Sequence, residues 1–406
     1  MPSPLKVLFI SQIFPTPVNP TKGVFSQQLV QGLMDYCDVR VVCPQPWFPR
    51  LPRWKFLERW HGYSLIPTQY DVDRIPVLSP KYPFIPKLGD RYHSFLLFLG
   101  LVRYAYALRR RFRFDVINAH WLYPDGVAAA RLARIMGVPL VLSGLGCDVN
   151  MFLFEKHKRG TILRALKQAS RVTVVSEELK MHLLGVGIDQ EQVTVIRNGV
   201  NKHLFYPRDQ TECVRMLGLP QRYPCVVFVG RLAEEEEKGL RYLMEAFQEL
   251  VRLGKPITLY VIGDGPMLKP YKDLVHDKGL QGQIHFVGAK AHQDIPLWIG
   301  ACDVFCLPSL REGCPNVVLE ALSCGRPVVA SEVGDIPHLI GKDNGLLVEP
   351  GNSHQLCEAL DIALAKKWNQ AEICRSVSTL TWNAAASQYF SVLLGARSDG
   401  GFPQDG

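Results

Sequence analysis

DVFCLPSLREGCPNVVLEALSCGRPVVAS, residues 303–331, places a loop and a short apolar helix between two apolar segments. We predict a buried strand in DVFCLPS, a loop in REGC, and a helix in PNVVLEALSCG with Pro near its first turn and Gly at its end. GRPVVAS then predicts the next strand. A strand, a helix and a second strand in this order are typical of a parallel sheet covered by helices.

The same alternation occupies most of the chain. It begins with LKVLFIS, continues to RVTVVS, and restarts with CVVFVGR after a turn-rich segment near residues 197–222. This interruption predicts a domain boundary. We therefore expect an α/β protein with two Rossmann-like, doubly wound domains, residues 1–200 and 201–379. A helix at about 380–396 is expected to pack back on the first domain, and residues 397–406 to form a flexible tail.

The composition is that of a soluble globular protein. Of 406 residues, 47% are apolar and 21% charged, and the eleven cysteines show no paired C-x-x-C spacing. We interpret the cysteines as reduced core thiols of a cytoplasmic protein and expect no zinc site among them. The N-terminus MPSPLKVLFIS lacks the features of a signal peptide, and the longest apolar run, FLLFLGLV, is too short to span a bilayer.

Positive charge is concentrated in residues 50–113. This segment has thirteen Lys and Arg against four Asp and Glu, together with thirteen of the forty aromatic residues. Such a segment can contact an anionic membrane surface, which would place the protein peripherally at the inner face of the membrane. It can equally be a solvated basic helix, and we expect its Phe and Leu stripe to pack into the core. We expect no nucleic-acid partner.

The loop and helix of the opening segment have the features of an anion site. In open α/β sheets ligands bind at the carboxyl ends of strands, where a helix N-terminus offers free N–H groups. Asn316, Val317 and Val318 are therefore expected to present backbone amides to a phosphate. Glu312 precedes these amides and Glu320 follows them, and a carboxylate can accept hydrogen bonds from two vicinal hydroxyls.

A negatively charged ligand beside two carboxylates requires cations. FVGRLAEEEEKGL supplies Arg231 at the end of a predicted strand and Lys238 before the next helix. Arg can hold a diphosphate with two hydrogen bonds, and Lys adds a point charge. The alternative is a surface loop with salt bridges among residues 234–238.

Taken together, these motifs resemble the retaining glycosyltransferases of family 4, which have the GT-B fold. The resemblance rests on G-R-L with a downstream K-G, the G-D-G-P turn at residues 263–266, E-G-x-P-x-x-x-x-E, and A-x-x-C-G-x-P-V-V-A. It covers most of the chain and is strongest from 225 to 350. It implies two domains that face each other across a cleft, the first binding the acceptor and the second a nucleotide-diphosphate sugar.

The resemblance also implies roles for the second domain's residues. Glu320 would bind the ribose hydroxyls, and Glu312 would contact the donor sugar. Backbone amides after Gly313 would touch the sugar and phosphate, while Arg231 and Lys238 would hold the diphosphate. The loop that carries Arg231 and Lys238 is longer and more acidic than is usual in the family, which leaves the position of Lys238 open.

Three residues of the first domain match the family less completely. Gly23 precedes a helix after the first strand, which by itself indicates a helix-entry turn, but it matches the glycine that the family places against the diphosphate. His120 ends a buried strand and would meet the donor sugar and the acceptor. SGLGCDVN replaces the H-G-S-D of many relatives, so Asp148 is a candidate acceptor residue or a capping residue.

The activity implied is transfer of a sugar, with retained configuration and without a metal, from a UDP- or GDP-sugar to a hydroxyl. The acceptor would be a glycan or a lipid-linked molecule in polysaccharide or glycolipid biosynthesis. Two alternatives stay open. One is a nucleotide-sugar epimerase on the same fold, and the other is a non-catalytic, membrane-associated protein that binds nucleotide sugars.

Overall fold

The computed structural model describes residues 4–48, 58–84, 92–220, 223–234 and 236–398. The chain forms two compact units: unit 1 comprises Met1–Asn198 and Trp382–Gly406, and unit 2 comprises Gly199–Thr381. Most of the expected flexible tail, from residue 399 onward, lies outside the described residues, as do residues 50–57 and 85–91 of the basic segment.

The described residues of unit 1 form ten strands. They are β1 (Lys6–Ile10), β2 (Asp38–Val42), β3 (Gln45–Trp47), β4 (Gln69–Val72), β5 (Ile75–Leu78), β6 (Lys81–Pro83), β7 (Val116–His120), β8 (Leu140–Gly144), β9 (Arg171–Val174) and β10 (Val193–Val195). Eight of them form one sheet in the order β10-β9-β8-β7-β1-β2-β5-β4. All neighbours are parallel except β4 and β5. All residues of β7 and β8 are buried, as expected for parallel strands covered on both faces.

Seven α-helices precede residue 199 in the part of unit 1 that the structure describes. They are α1 (Val24–Leu33), α2 (Glu58–Leu65), α3 (His93–Arg111), α4 (Val127–Met136), α5 (Cys147–Asn150), α6 (Lys156–Gln168) and α7 (Glu177–Gly185). Helix α7 begins where the Ser176 hydroxyl accepts a hydrogen bond from the Leu179 N–H, which satisfies one of the otherwise unpaired amides of its first turn.

In unit 2, strands and helices alternate after α8 (Gln210–Met216), and the series ends with two consecutive helices. The elements are β11 (Cys225–Val229), α9 (Leu240–Arg252), β12 (Thr258–Ile262), α10 (Leu268–Asp277), β13 (Ile284–Gly288), α11 (Ile295–Ala301), β14 (Val304–Leu307), α12 (Asn316–Ser323), β15 (Val328–Ser331), α13 (Ile336–Leu339), β16 (Gly345–Val348), α14 (Ser353–Ala365) and α15 (Gln370–Ser376). The six strands form a parallel sheet in the order β13-β12-β11-β14-β15-β16. The expected doubly wound architecture is confirmed in both units.

The last helix, α16 (Trp382–Ser398), belongs to unit 1. Its buried Ala386 packs on α1, where a Cβ at Gly32 would lie 2.8 Å from the Ala386 Cβ. Trp382, Tyr389 and Leu393 of the same helix join the core that covers β1 and β2.

Each sheet has one point at which the strand order reverses. In unit 1 it lies between β1 and β7, and in unit 2 between β11 and β14. The loops that leave two such strands diverge to opposite faces of the sheet and open a crevice at the carboxyl edge, where ligands of doubly wound proteins bind. We therefore expect ligand-binding residues in the loops after these four strands.

Helix α3 tests the expectation for the basic, aromatic segment. Leu97, Leu101 and Ala105 are buried, but Phe95 and Tyr106 are 45% and 53% exposed. The expectation that the Phe and Leu stripe packs into the core is therefore only partly correct, because α3 has a second apolar face that the described residues do not cover. Among the described helices, none is long and apolar enough to cross a membrane.

The cysteines agree with the interpretation as core thiols. All eleven are free, and nine of them are buried.

Candidate functional site

The loops after β11 and β14 are joined by an ion pair at the strand reversal of unit 2. The Lys238 Nζ lies 2.6 Å from Glu312 Oε1, and the Ser309 hydroxyl donates to the same oxygen at 2.6 Å. Ser309 is buried, and the Glu312 side chain is only 8% exposed. Two residues predicted from separate motifs thus form one cluster, which settles where the long acidic loop places Lys238.

Gly239 explains how Lys238 reaches Glu312. Gly239 has φ +63°, and a Cβ at this position would lie 1.9 Å from the carbonyl oxygen of Pro308. Only glycine tolerates both the left-handed backbone and this contact. The turn before α9 can therefore pack directly on the end of β14, which brings Lys238 alongside Glu312.

The N-terminus of α12 follows directly in the chain. Asn316 and Val317 are partly exposed at its first turn, whereas Gly313 and Val318 are buried. The Val318 N–H donates to the Pro315 carbonyl at 3.0 Å. The three predicted amides are thus not equivalent, since that of Val318 already has a backbone partner and Asn316 and Val317 hold the more accessible positions.

Glu320 lies one turn further along α12, with its side chain 11% exposed. Its Oε1 lies 2.8 Å from His292 Nε2. His292 belongs to a 3-10 turn, His292–Asp294, that follows β13. Glu320 is therefore held by a residue for which the sequence motifs gave no role.

Arg231 is not part of this network. It follows β11 and is exposed, and no hydrogen bond or ion pair connects it to Lys238 or Glu312 within the described part of the chain. The backbone beside it is fixed, because the Leu232 N–H donates to the Asp264 carbonyl at 3.0 Å.

His120 ends β7 at the strand reversal of unit 1. It is 1% exposed, lies 4.5 Å from the Phe9 ring, and its Nδ1 lies 3.5 Å from the Ser26 hydroxyl of α1. Its Nε2 has no hydrogen-bond partner in the described structure. Burial lowers the pKa of His120 to about 3, so the imidazole is neutral near pH 7.

Asp148 is buried and accepts three backbone N–H bonds. These come from Leu122 at 2.8 Å, Leu145 at 3.0 Å and Gly146 at 2.8 Å. Despite these bonds, burial raises the pKa of Asp148 to about 6. Asp148 thus ties the loop after β7 to the loop after β8.

The loop that Asp148 holds contains a strained residue. Trp121, directly after His120, has φ +82°, and its N–H donates to the Ser143 carbonyl at 2.9 Å. Non-glycine residues in this region cost on the order of 1–3 kcal/mol and persist only where the surroundings enforce them. Ser143 and Asp148 together enforce this turn.

Gly23 is the residue before α1 and has φ +71°. A Cβ there would lie 2.3 Å from the Ile13 carbonyl oxygen. The structure thus supplies a packing reason for glycine at this position, besides any approach of a phosphate.

Sequence reasoning missed Ser309 and His292. Ser309 could have been found, since it ends a predicted strand three residues before Glu312. His292 had a weaker signal, because it lies 28 residues before Glu320 and follows a different strand. In the described ranges, no group of three or more His, Cys, Asp or Glu could hold a metal ion.

Two family models match the chain. "Glycosyltransferase Family 4" matches residues 23–204, and "Glycosyl transferases group 1" matches residues 223–366. The first match falls in unit 1 and the second in unit 2, apart from a few residues at the boundary.

Individual proteins agree with the models. The chain is 31% identical over 369 residues to the putative teichuronic acid biosynthesis glycosyltransferase TuaC of Bacillus subtilis, covering 88% of both chains. It is 29% identical over 272 residues to the Escherichia coli UDP-Gal:alpha-D-GlcNAc-diphosphoundecaprenol alpha-1,3-galactosyltransferase, covering 63% of this chain and 67% of that one.

The fold is shared with solved structures. Sucrose-phosphate synthase from Thermosynechococcus elongatus matches with a TM-score of 0.77 at 21% identity, over 98% of this chain and 100% of that chain. The similarities favour neither an epimerase nor a non-catalytic binding protein. The chain belongs to glycosyltransferase family 4 and is a glycosyltransferase with the GT-B fold.

Proposed function

We propose that this glycosyltransferase moves a hexose from a UDP- or GDP-sugar to a hydroxyl of a glycan or lipid-linked acceptor, with retention and without a metal ion. The observation that carries the proposal is the cluster at the strand reversal of unit 2. There a lysine, a buried glutamate and the N-terminus of α12 share one edge of the sheet. Cation, acceptor oxygens and helix amides are the groups that a sugar diphosphate requires.

In the proposed arrangement, unit 2 binds the donor. Glu320 accepts hydrogen bonds from the ribose hydroxyls, and the amides that follow Gly313, chiefly Asn316 and Val317, bind phosphate oxygens. The ammonium of Lys238 has three N–H donors, so it can retain Glu312 and still donate to the diphosphate. Arg231, which is exposed and unattached to this pair, is able to move toward the same charge.

Glu312 is proposed to contact the donor sugar. Its Oε1 already accepts from Lys238 and Ser309, which fixes the direction of the carboxylate. A carboxylate oriented in this way can accept a hydrogen bond from a sugar hydroxyl without reorganising, which favours transfer over simple binding.

In unit 1, we propose that His120 donates or accepts a hydrogen bond at a sugar hydroxyl through Nε2. The neutral state of the imidazole supports this role over that of a proton carrier. Gly23 would let the backbone before α1 approach a phosphate. Asp148 would contribute to acceptor binding through the backbone of Leu122 and Gly146, which it holds.

Retention is proposed to follow from attack on the face of the sugar that the phosphate leaves. As the bond from the anomeric carbon to the phosphate oxygen breaks, that oxygen gains negative charge and can take the proton of the attacking hydroxyl. Lys238, Arg231 and the α12 amides would stabilise the charge on the diphosphate. These groups supply positive potential that a metal ion supplies in other transferases.

A membrane-proximal acceptor is supported by the exposed face of α3. Tyr92, Phe95, Leu99 and Tyr106 recur at helical spacing, and Arg103 lies on the same face. An apolar face flanked by arginines can enter an anionic membrane surface. Leu99→Ser with Tyr106→Ser should reduce recovery on anionic liposomes, whereas Ile362→Ser, which is equally exposed on α14, should not. Equal recovery of all variants would contradict membrane contact.

The experiment that tests the proposed activity is transfer itself. The protein is incubated with UDP- and GDP-hexoses and candidate glycan or polyprenyl-diphosphate-sugar acceptors, with and without a chelator. Mass spectrometry detects the new glycoside, and NMR assigns its anomeric configuration. We expect an added hexose of retained configuration with the chelator present. Inversion would contradict the proposed retention. Transfer that the chelator abolishes and a divalent cation restores would contradict the proposed independence of a metal.

A further inference from the structure

His292 lies between two parts of unit 2 that are distant in sequence. Its Nε2 lies 2.8 Å from Glu320 Oε1, and its ring lies 5.1 Å from the ring of Phe205. Phe205 is 1% exposed and therefore fixed in the core. A carboxylate offers only acceptor oxygens, so His292 must carry a hydrogen on Nε2 and donate a hydrogen bond to Glu320.

Helix α12, Phe205 and His292 are connected to one another by three contacts. The Ser323 hydroxyl donates to the Phe205 carbonyl at 2.8 Å, and Ser323 is three residues after Glu320 on α12. Residues at this spacing share a helix face. Helix α12 thus holds Phe205 through Ser323, and the Phe205 ring packs on His292. His292 in turn donates a hydrogen bond to Glu320, which also lies on α12. These contacts hold His292 in place, and His292 in turn fixes the position of one oxygen of the Glu320 carboxylate.

We propose that His292 is a positioning residue for the ribose of the donor. The inference rests on the proposed function, in which Glu320 accepts the ribose hydroxyls. A carboxylate has about four lone-pair positions, of which His292 uses one on Oε1. The remaining positions are then presented in a fixed direction, which suits a vicinal pair of hydroxyls better than a freely rotating side chain does.

Two substitutions separate the hydrogen bond from the packing. His292→Phe keeps a ring against Phe205 but has no donor. His292→Gln keeps an N–H at similar reach but loses the ring. His276→Phe is the control, because His276 is an exposed histidine elsewhere in the same unit, on α10.

The ligands are uridine and guanosine diphosphate and their 2′,3′-dideoxy counterparts, with Kd measured by calorimetry. His292→Phe should raise the Kd of the preferred ribonucleotide roughly tenfold and leave that of its dideoxy counterpart unchanged. His292→Gln should bind the ribonucleotide within about threefold of wild type, since a hydrogen bond to a charged group is retained. His276→Phe should match wild type with every ligand.

The ratio of ribo to dideoxy Kd within one variant is independent of how much protein is folded. An unchanged ratio in His292→Phe would overturn the inference while leaving the proposed function intact. Wild-type protein that binds neither diphosphate would overturn the proposed function, and this inference with it. Because the readout is a hydroxyl-dependent affinity, a purely structural role for His292 would not reproduce the expected result.

Discussion

Lys238 and Glu312 form an ion pair of 2.6 Å that joins the loop after β11 to the loop after β14. These two strands are neighbours at the strand reversal of unit 2, although Lys238 and Glu312 are 74 residues apart in the sequence. The pair therefore lies at the carboxyl edge of the sheet, beside the crevice in which ligands of doubly wound domains bind. Its energetics and its chemistry can be tested separately.

Lys238→Met should destabilise unit 2. Glu312, whose side chain is only 8% exposed, would lose the Lys238 ammonium that lies 2.6 Å from its Oε1, and removing the opposite charge beside a buried carboxylate is costly. We expect the free energy of unfolding to fall by about 1–3 kcal/mol, since Lys238 itself is partly exposed. Denaturant titration measures the change. Adding Glu312→Gln should restore part of the loss, and Lys269→Met, which breaks an exposed pair on α10, should have no measurable effect. Equal losses in Lys238→Met and the double variant would contradict the coupling.

Gly239→Ala should displace Lys238. Its Cβ would meet the Pro308 carbonyl at 1.9 Å, in addition to the strain of a left-handed alanine. Gly254→Ala is the matched control, because Gly254 has φ +76° but no atom within 4 Å of a Cβ. The control should lose about 1–2 kcal/mol of stability and keep its transfer rate. Gly239→Ala should lose more stability and most of its transfer activity. Similar behaviour of the two variants would contradict the role of the close approach.

His120 should affect the rate of transfer without affecting its pH dependence. Burial lowers the pKa of His120 to about 3, so its charge does not change between pH 5 and pH 9. His120→Gln should lower kcat at least about tenfold while changing donor affinity little, because it misplaces a hydrogen bond to the reacting sugar. The profile of kcat against pH should keep its shape. A change of kcat near neutral pH that is present in the wild-type profile and absent in His120→Gln would contradict the assignment of a neutral imidazole to His120.

Substitution by Asn should have opposite effects on the stability of unit 1 at Asp125 and at Asp148. Burial raises the pKa of Asp125 to about 7, so the stability gained from its neutral form is present near pH 4 and is lost as pH rises through 7. Asp125→Asn, which can still accept from the Gln12 N–H, should therefore stabilise unit 1 at pH 8 but not at pH 4. Asp148→Asn should destabilise it, because one amide oxygen cannot accept three N–H bonds. Denaturation at both pH values measures the differences, and a pH-independent effect of Asp125→Asn would contradict the prediction.

The sequence was sufficient for the architecture because parallel strands and amphipathic helices leave a strong local pattern. DVFCLPS and GRPVVAS correspond to β14 and β15, with α12 between them. The α3 helix was also predictable, but its faces were not. Helical periodicity reveals that apolar residues share a face, whereas only the tertiary structure reveals that Phe95 and Tyr106 remain exposed.

The site was predictable where motif and topology coincide. Glu312 and Lys238 were each marked by a motif, yet their mutual distance depends on a glycine contact that no local pattern encodes. His292 was harder to identify, because a single histidine after a strand has no distinguishing spacing. The partner of Glu320 comes from the loop of another strand, and loop geometry is decided by long-range packing.

The most direct test of the donor site is a crystal structure of the protein soaked with UDP or GDP. We predict phosphate oxygens about 3 Å from the Val317 amide, ribose hydroxyls hydrogen-bonded to Glu320, and the Lys238 ammonium within hydrogen-bond distance of the diphosphate. A nucleotide bound elsewhere in unit 2, with Glu320 and the first turn of α12 untouched, would contradict it.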